Sequence, residues 1–132
     1  MTSISSNRVV YLRRWIVLGV AVVGLSIAAN GCGEREAYGE PLSGIDPTAI
    51  GDILGSPDLY EGERVRIEGR IAAECSSGCW FNLEQEETTI YVDIKPSGFA
   101  IPQRVGSSAV VEGIVQIRDR QIMIVGEGVE IL

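Results

Sequence analysis

The sequence predicts a small all-β barrel of five strands, preceded by one short helix, on three observations. From Glu63 onward apolar residues recur at every second position, glycines interrupt two of the apolar faces, and the connections between the runs are short and polar. Strands with a period of two and a glycine kink are curved, and five short curved strands close most simply on themselves.

A different kind of segment precedes the barrel. Residues 1–31 carry Arg8, Arg13 and Arg14, no acidic residue, and an apolar run from Ile16 to Ala29. That is the layout of a signal peptide, and the run is shorter than the ~20 apolar residues of a membrane-spanning helix. The stretch Ala28-Ala29-Asn30-Gly31-Cys32 resembles a bacterial lipobox, in which small residues precede a cysteine. The resemblance implies that Cys32 is diacylated and becomes the new N-terminus, anchoring the protein in a bacterial cell envelope and facing the periplasm or extracytoplasmic space. Asn30 and the missing Leu three residues before the cysteine depart from the usual pattern, and an ordinary cleaved signal is the alternative. Arg13-Arg14 ahead of Trp15-Ile16-Val17 leaves twin-arginine export open beside the general secretory route.

Cleavage before Cys32 takes away three of the eleven Lys and Arg and none of the eighteen Asp and Glu. Eight basic residues then stand against eighteen acidic ones, a formal net charge of −10. Such a balance favours solubility and disfavours a polyanionic partner, since nucleic-acid affinity comes mostly from clustered Lys and Arg on phosphates. About a hundred residues remain, enough for one domain with one core.

Residues 32–45 have no apolar periodicity and hold Gly33, Gly39, Pro41, Ser43 and Gly44 among Glu34, Glu36 and Glu40, the composition of a flexible tether. The folded domain is then 46–132. It opens on a short helix capped by Asp46, with Pro47 at its first position, Ile50, Ile53 and Leu54 at helical spacing, and Gly55 and Pro57 as its stop. In the first strand Val65, Ile67, Ile71 and Ala73 share one face and Arg64, Arg66, Glu68 and Arg70 the other, with Gly69 as the kink. The second strand runs from Cys79 to Glu84 and the third from Thr88 to Ile94, joined by the acidic turn Gln85-Glu86-Glu87. The fourth covers 109–117, kinked at Gly113, and the fifth 121–131. Between the third and fourth lies the loop from Pro96 to Pro102, whose Phe99 and Ile101 are expected to plug one end of the barrel.

The stretch from Ile50-Gly51-Asp52-Ile53-Leu54 through Tyr60-Glu61-Gly62 to Val65-Arg66-Ile67-Glu68-Gly69-Arg70-Ile71 looks like the opening of many OB-fold domains, a short helix leading into a glycine-kinked first strand. The pattern extends over residues 47–132. With the Cys75 to Leu83 segment, Ser97 to Pro102 and the closing Gly126-Glu127-Gly128-Val129-Glu130-Ile131, the chain is similar to a group of small bacterial envelope OB-fold proteins. That resemblance implies a scaffold and a location and no particular activity. The loop at Pro96 to Pro102 stands where most OB-folds carry a helix.

Cys75 and Cys79 bracket Ser76-Ser77-Gly78, a three-residue connection with a glycine, as a hairpin between the first two strands would use. In an oxidising envelope they are expected to form a structural disulfide, contributing about 2 kcal/mol because the loop it closes is short. Two alternatives stay open. A thiol-redox role favours Cys-x-x-Cys at a helix start, a pattern absent here. A metal role has no histidine to draw on, so soft Cu(I) held by Cys75 and Cys79, with Met123 or Trp80 assisting, is its least demanding form.

Parity along the second strand points to a surface. With Phe81 and Leu83 inward, Trp80 and Asn82 face out, as do Tyr91 and Asp93 on the third strand. These two strands form the usual ligand face of an OB-fold. Trp80, Asn82 and Tyr91 are therefore candidate ligand residues, with Arg66 and Arg70 on the first strand and Arg118 and Arg120 in the last hairpin; the competing expectation is that Trp80 only covers the cysteines.

Three classes of function follow in descending order. The sequence favours a membrane-anchored, non-catalytic binding or accessory module with an unknown envelope protein or small ligand as partner, and it calls for no cofactor. A single-stranded nucleic-acid binder shares the fold and the aromatics but meets Glu84, Glu86, Glu87 and Asp93 on the same sheet. An enzyme lacks histidine and any recognisable nucleophile or acid/base arrangement.

Overall fold

The computed structural model describes residues 33–132. The expected signal segment and the expected lipidation site Cys32 lie outside the described residues. The elements are β1 (Glu36–Gly39), α1 (Ile50–Gly55), α2 (Pro57–Tyr60), β2 (Arg64–Glu74), β3 (Trp80–Gln85), β4 (Thr88–Asp93), a 3-10 turn at Lys95–Ser97, β5 (Ser108–Arg118) and β6 (Gln121–Ile131).

β2 to β6 form a closed barrel. β2 pairs antiparallel with β3 and with β5, β3 with β4, and β5 with β6. The ring closes through a parallel pairing of β4 with β6, in the register Tyr91↔Met123, Val92↔Ile124 and Asp93↔Val125. Five strands in this order, with one parallel closing pair, are the OB-fold path.

The inward residues are those the period of two selects. Val65, Ile67, Ile71, Phe81, Leu83, Ile90, Val92, Val111, Val115 and Ile124 form one buried core. α1 adds Ile50 and Ile53 at the end near the β3–β4 turn, and Ile101 packs at the end near the β2–β3 hairpin, where its N–H donates to the Gly78 carbonyl. Phe99 is half-buried and packs against this core, with its ring beside Gly39 of β1.

The N-terminal segment is a correction. Residues 36–39, read from composition as part of a flexible tether, form a strand on the edge of β6, from Glu36↔Ile131 to Gly39↔Gly128. β4 occupies that edge of β6 only at 123–125, so the backbone groups farther along are free to pair, and backbone pairing requires no apolar pattern. Beyond β1, Glu112 grips the chain. Its carboxylate is fully buried and accepts hydrogen bonds from the Ser43 N–H (2.8 Å), the Ser43 hydroxyl (2.9 Å) and the Gly44 N–H (3.1 Å). The Arg64 guanidinium lies 3.6 Å from the same carboxylate and 3.0 Å from Glu127.

The helix also begins later than expected. Ala49, not Asp46, is its N-cap, because Pro47 is bridged to Arg66 and the Thr48 N–H donates to the Arg66 carbonyl (2.7 Å). Gln85 supplies the missing cap from across the barrel: its side-chain oxygen accepts from the Ile50 N–H (3.0 Å) while its amide nitrogen donates to the Glu68 carbonyl (2.8 Å). Pro57 starts α2 and does not end the helical region.

The two glycines read as kinks serve differently. Gly113 sits at an irregularity in the β5–β6 register, next to the extra residue Glu127 on β6. Gly69 pairs regularly with Ala109, and the register shift of β2 falls at Ala72; Gly69 instead lets the backbone of Glu84 pass where a side chain would stand.

Candidate functional site

Cys75 and Cys79 close the β2–β3 hairpin, whose turn is set by Gly78 in a left-handed conformation (φ 71°). The Gly78 N–H donates to the Cys75 carbonyl and the Cys75 N–H to the Trp80 carbonyl, both at 2.9 Å. This geometry brings the two Sγ atoms to 2.8 Å. The turn thus supplies the proximity that the expected disulfide requires. The Ser77 hydroxyl lies 3.0 Å from Cys75 Sγ and 3.5 Å from Cys79 Sγ. Hydrogen bonds from Cys79 first, then from Ser77, lower the Cys75 pKa to about 6.

The outer face of β3 and β4 begins at this hairpin. Register places Trp80 opposite Asp93 and Asn82 opposite Tyr91, and continues from Tyr91 to Met123 on β6. The Trp80 and Tyr91 rings meet with centroids 5.5 Å apart, tilted by 31°, and both are half-buried. Their inward neighbours Phe81, Leu83, Ile90 and Val92 already fill the core, so the pair belongs to the surface. Burial pushes the Tyr91 hydroxyl above its ordinary pKa, and Asp93, Cys79 and Cys75 add to the effect, which places the dithiol and the aromatic pair in one electrostatic neighbourhood. Met123 is 5% exposed beside Tyr91. Among the described residues, no group of three or more His, Cys, Asp or Glu side chains converges as a metal site.

The four arginines do not gather around this pair. Arg66 binds Glu68 (3.2 Å) on the β2–β5 side, in register with Glu112. Arg70 faces Glu84 across β2 and β3 at 3.7 Å. Arg118 and Arg120 are exposed in the β5–β6 hairpin, with Arg118 donating to Gln116 Oε1 (3.1 Å). A concavity of about 480 Å³ lies between β2, β5 and the C-terminus, but its walls pair Arg35 and Arg66 with Glu68 and Glu130, leaving no dominant charge to select a ligand.

Two residues of consequence escaped the sequence reading. Ser77 counted only as a turn former, yet its hydroxyl touches both sulfurs. Glu112 was singled out by nothing in the sequence; its partner Ser43 is 69 positions away, and no local pattern signals such a contact.

Barrel path and surface together define the chain as an OB-fold domain with an aromatic patch and a dithiol on the outer face of β3 and β4. Among solved structures it is similar to the hypothetical protein ygiW from E. coli, with 18% identity and a TM-score of 0.49 over 72% of this chain and 97% of that one. It is also similar to a chain of the S. pombe Stn1-ten1 complex, with 13% identity and a TM-score of 0.44 over 64% of this chain and 77% of that one. No family model matches the chain, and no curated protein matches it in sequence.

Proposed function

We propose that this protein is a lipid-anchored, non-catalytic binding module of a bacterial cell envelope, and that the outer face of β3 and β4 is its ligand surface. The observation that carries the reading is the Trp80–Tyr91 pair, held half-exposed at 5.5 Å over a core that is complete without it. Aromatic pairs of this kind bind by stacking and apolar contact. Asp93 beside Trp80 and the acid-rich chain favour a neutral or cationic group, a segment of an envelope protein or a small molecule, over a polyanion. The basic, acid-free segment ahead of Cys32 supports the anchored location.

Trp80→Ala or Tyr91→Ala is expected to leave folding intact and to weaken capture of the envelope partner by about 30-fold, the equivalent of about 2 kcal/mol for a buried aromatic anchor. Cross-linked pull-downs from envelope extract, scored against the wild type, measure this; an unchanged set of captured species rules the surface out. A labelled single-stranded oligonucleotide is expected to show no salt-sensitive binding, and clear binding that falls with salt would favour the nucleic-acid alternative. For the anchor, intact-mass analysis of protein extracted from its native membrane should show a chain beginning at Cys32 with an added diacylglyceryl group. A mass starting elsewhere, or without lipid, would overturn the anchored reading.

A further inference from the structure

We propose that the group taken by the β3–β4 face is the guanidinium of an arginine in a protein segment, stacked on the Trp80–Tyr91 pair and neutralised by Asp93. The inference rests on the reading of this face as a ligand surface and names what it binds.

Register carries the assignment. Two neighbouring rows of outward residues cross the seam of the barrel, Trp80, Asp93 and Val125 in one and Asn82, Tyr91 and Met123 in the other. Asp93 is the single charged residue of the six, set between an indole and a valine. Met123 is buried and the other five are half-buried, so the carboxylate lies in an apolar belt and not on an open charged surface. Other carboxylates of the barrel wall already have a cation: Glu68 has Arg66, Glu84 has Arg70, and Glu112 and Glu127 share Arg64. Asp93 has none. Among the described residues no Lys or Arg pairs with it, and its Oδ1 accepts only the Lys95 backbone N–H (3.1 Å), which fixes the carboxylate and leaves Oδ2 open.

A half-buried anion beside two aromatic rings selects a cation with a flat face. Ring faces carry negative potential, and both this attraction and the ion pair strengthen where water is displaced. A guanidinium can lie on a ring and point its N–H edge at a carboxylate at the same time, and it sheds water more readily than an ammonium. The Asp93 charge does reach the aromatic pair: after burial, it is the next cause of the raised Tyr91 pKa. Met123 and Val125 continue the apolar strip beyond the rings, which gives the residues flanking an arginine a surface to pack on and favours a protein segment over a small free cation.

The test titrates the full chain with the acetylated, amidated peptide Ala-Leu-Arg-Leu-Ala and its Lys and Gln counterparts, followed on the Trp80 indole and Tyr91 backbone N–H resonances. The Arg peptide should shift both resonances, the Lys peptide should bind about 3-fold more weakly, and the Gln peptide at least about 10-fold more weakly. Asp93→Asn keeps an acceptor for the Lys95 N–H and so keeps the fold, yet should weaken the Arg peptide about 10-fold and remove most of the salt dependence of its binding. Trp80→Ala, read on Tyr91, should cost about 10-fold as well. No binding of the Arg peptide, equal binding of the Arg and Gln peptides, or unchanged affinity in Asp93→Asn would overturn the assignment, as would tetramethylammonium chloride binding as tightly as the Arg peptide. The two readings fail separately. With a negative peptide result, lost capture of the envelope partner by Trp80→Ala would keep the surface and remove only the guanidinium, whereas unchanged capture would remove both.

Discussion

Glu112→Ala is expected to destabilise the protein by about 2–4 kcal/mol, measured as a lower urea midpoint at unchanged slope. The carboxylate is fully buried, and its removal leaves the Ser43 and Gly44 N–H groups without an acceptor and Arg64 without one of its carboxylate partners. Ser43 and Gly44 are themselves exposed, so water can reach the freed donors; the cost is the loss of three hydrogen bonds to a buried charged acceptor and of its attraction to Arg64. Glu112→Gln keeps one acceptor oxygen and should lose only about half as much. Protease cleavage within residues 40–47 should accelerate in Glu112→Ala before global unfolding does, since this contact fastens the segment to the barrel. An unchanged cleavage rate would mean that β1 alone holds it.

The same group sets a pH dependence. Burial pushes the Glu112 carboxyl up, but the hydrogen bonds from Ser43 and Gly44 and the charge of Arg64 outweigh it and hold the pKa below the ordinary 4.5. A depressed folded-state pKa contributes stability above the unfolded value and loses it as pH falls toward the folded one. Stability should therefore decline as pH drops below 4.5, with a smaller decline in Glu112→Gln.

Gly78→Ala is expected to cost about 3 kcal/mol or more and to disrupt the dithiol at the same time. Gly78 sits at φ 71°, and a Cβ there would collide with the backbone carbonyl of Ile101. The left-handed conformation alone costs an alanine about 1–2 kcal/mol. The collision adds to it, because Ile101 is only 4% exposed and anchored by its N–H bond to the Gly78 carbonyl. Gly98→Ala provides the control. Its φ is 78° with open space around the position, so it should show the conformational cost alone, about 1 kcal/mol. In Gly78→Ala the approach of the two sulfurs should also be lost, read as slower closure of the Cys75–Cys79 disulfide on oxidation of the reduced protein than in the wild type. A variant as stable as Gly98→Ala that closes the disulfide as fast as the wild type would show that the turn is not what positions the sulfurs.

The five barrel strands were legible because alternation is a local property. Val65, Ile67, Phe81, Leu83, Ile90 and Val92 announce their inward face to any reader of the sequence, and their parity places Trp80, Asn82, Tyr91 and Asp93 on the opposite face. The aromatic patch was therefore visible in advance. The arginines were not, because outward parity says nothing about which carboxylate lies across the sheet: Glu68 takes Arg66 and Glu84 takes Arg70. β1 was missed for a related reason. Its stabilisation comes from main-chain pairing with β6, to which the side chains of Glu36, Ala37 and Gly39 contribute no pattern.

By itself, the sequence determined the five barrel strands, the inward face of each, the acidic surface, and the placing of two cysteines across a short turn, since all of these depend on residues a few positions apart. Tertiary structure decided what depends on closure of the ring. It set the parallel β4–β6 seam that brings Tyr91 beside Met123, the burial of Glu112 under a segment 69 positions away, and the approach of Ile101 that holds Gly78 and hence the two sulfurs in place. Contacts between distant parts of a chain follow from packing and register, and periodicity carries no record of either.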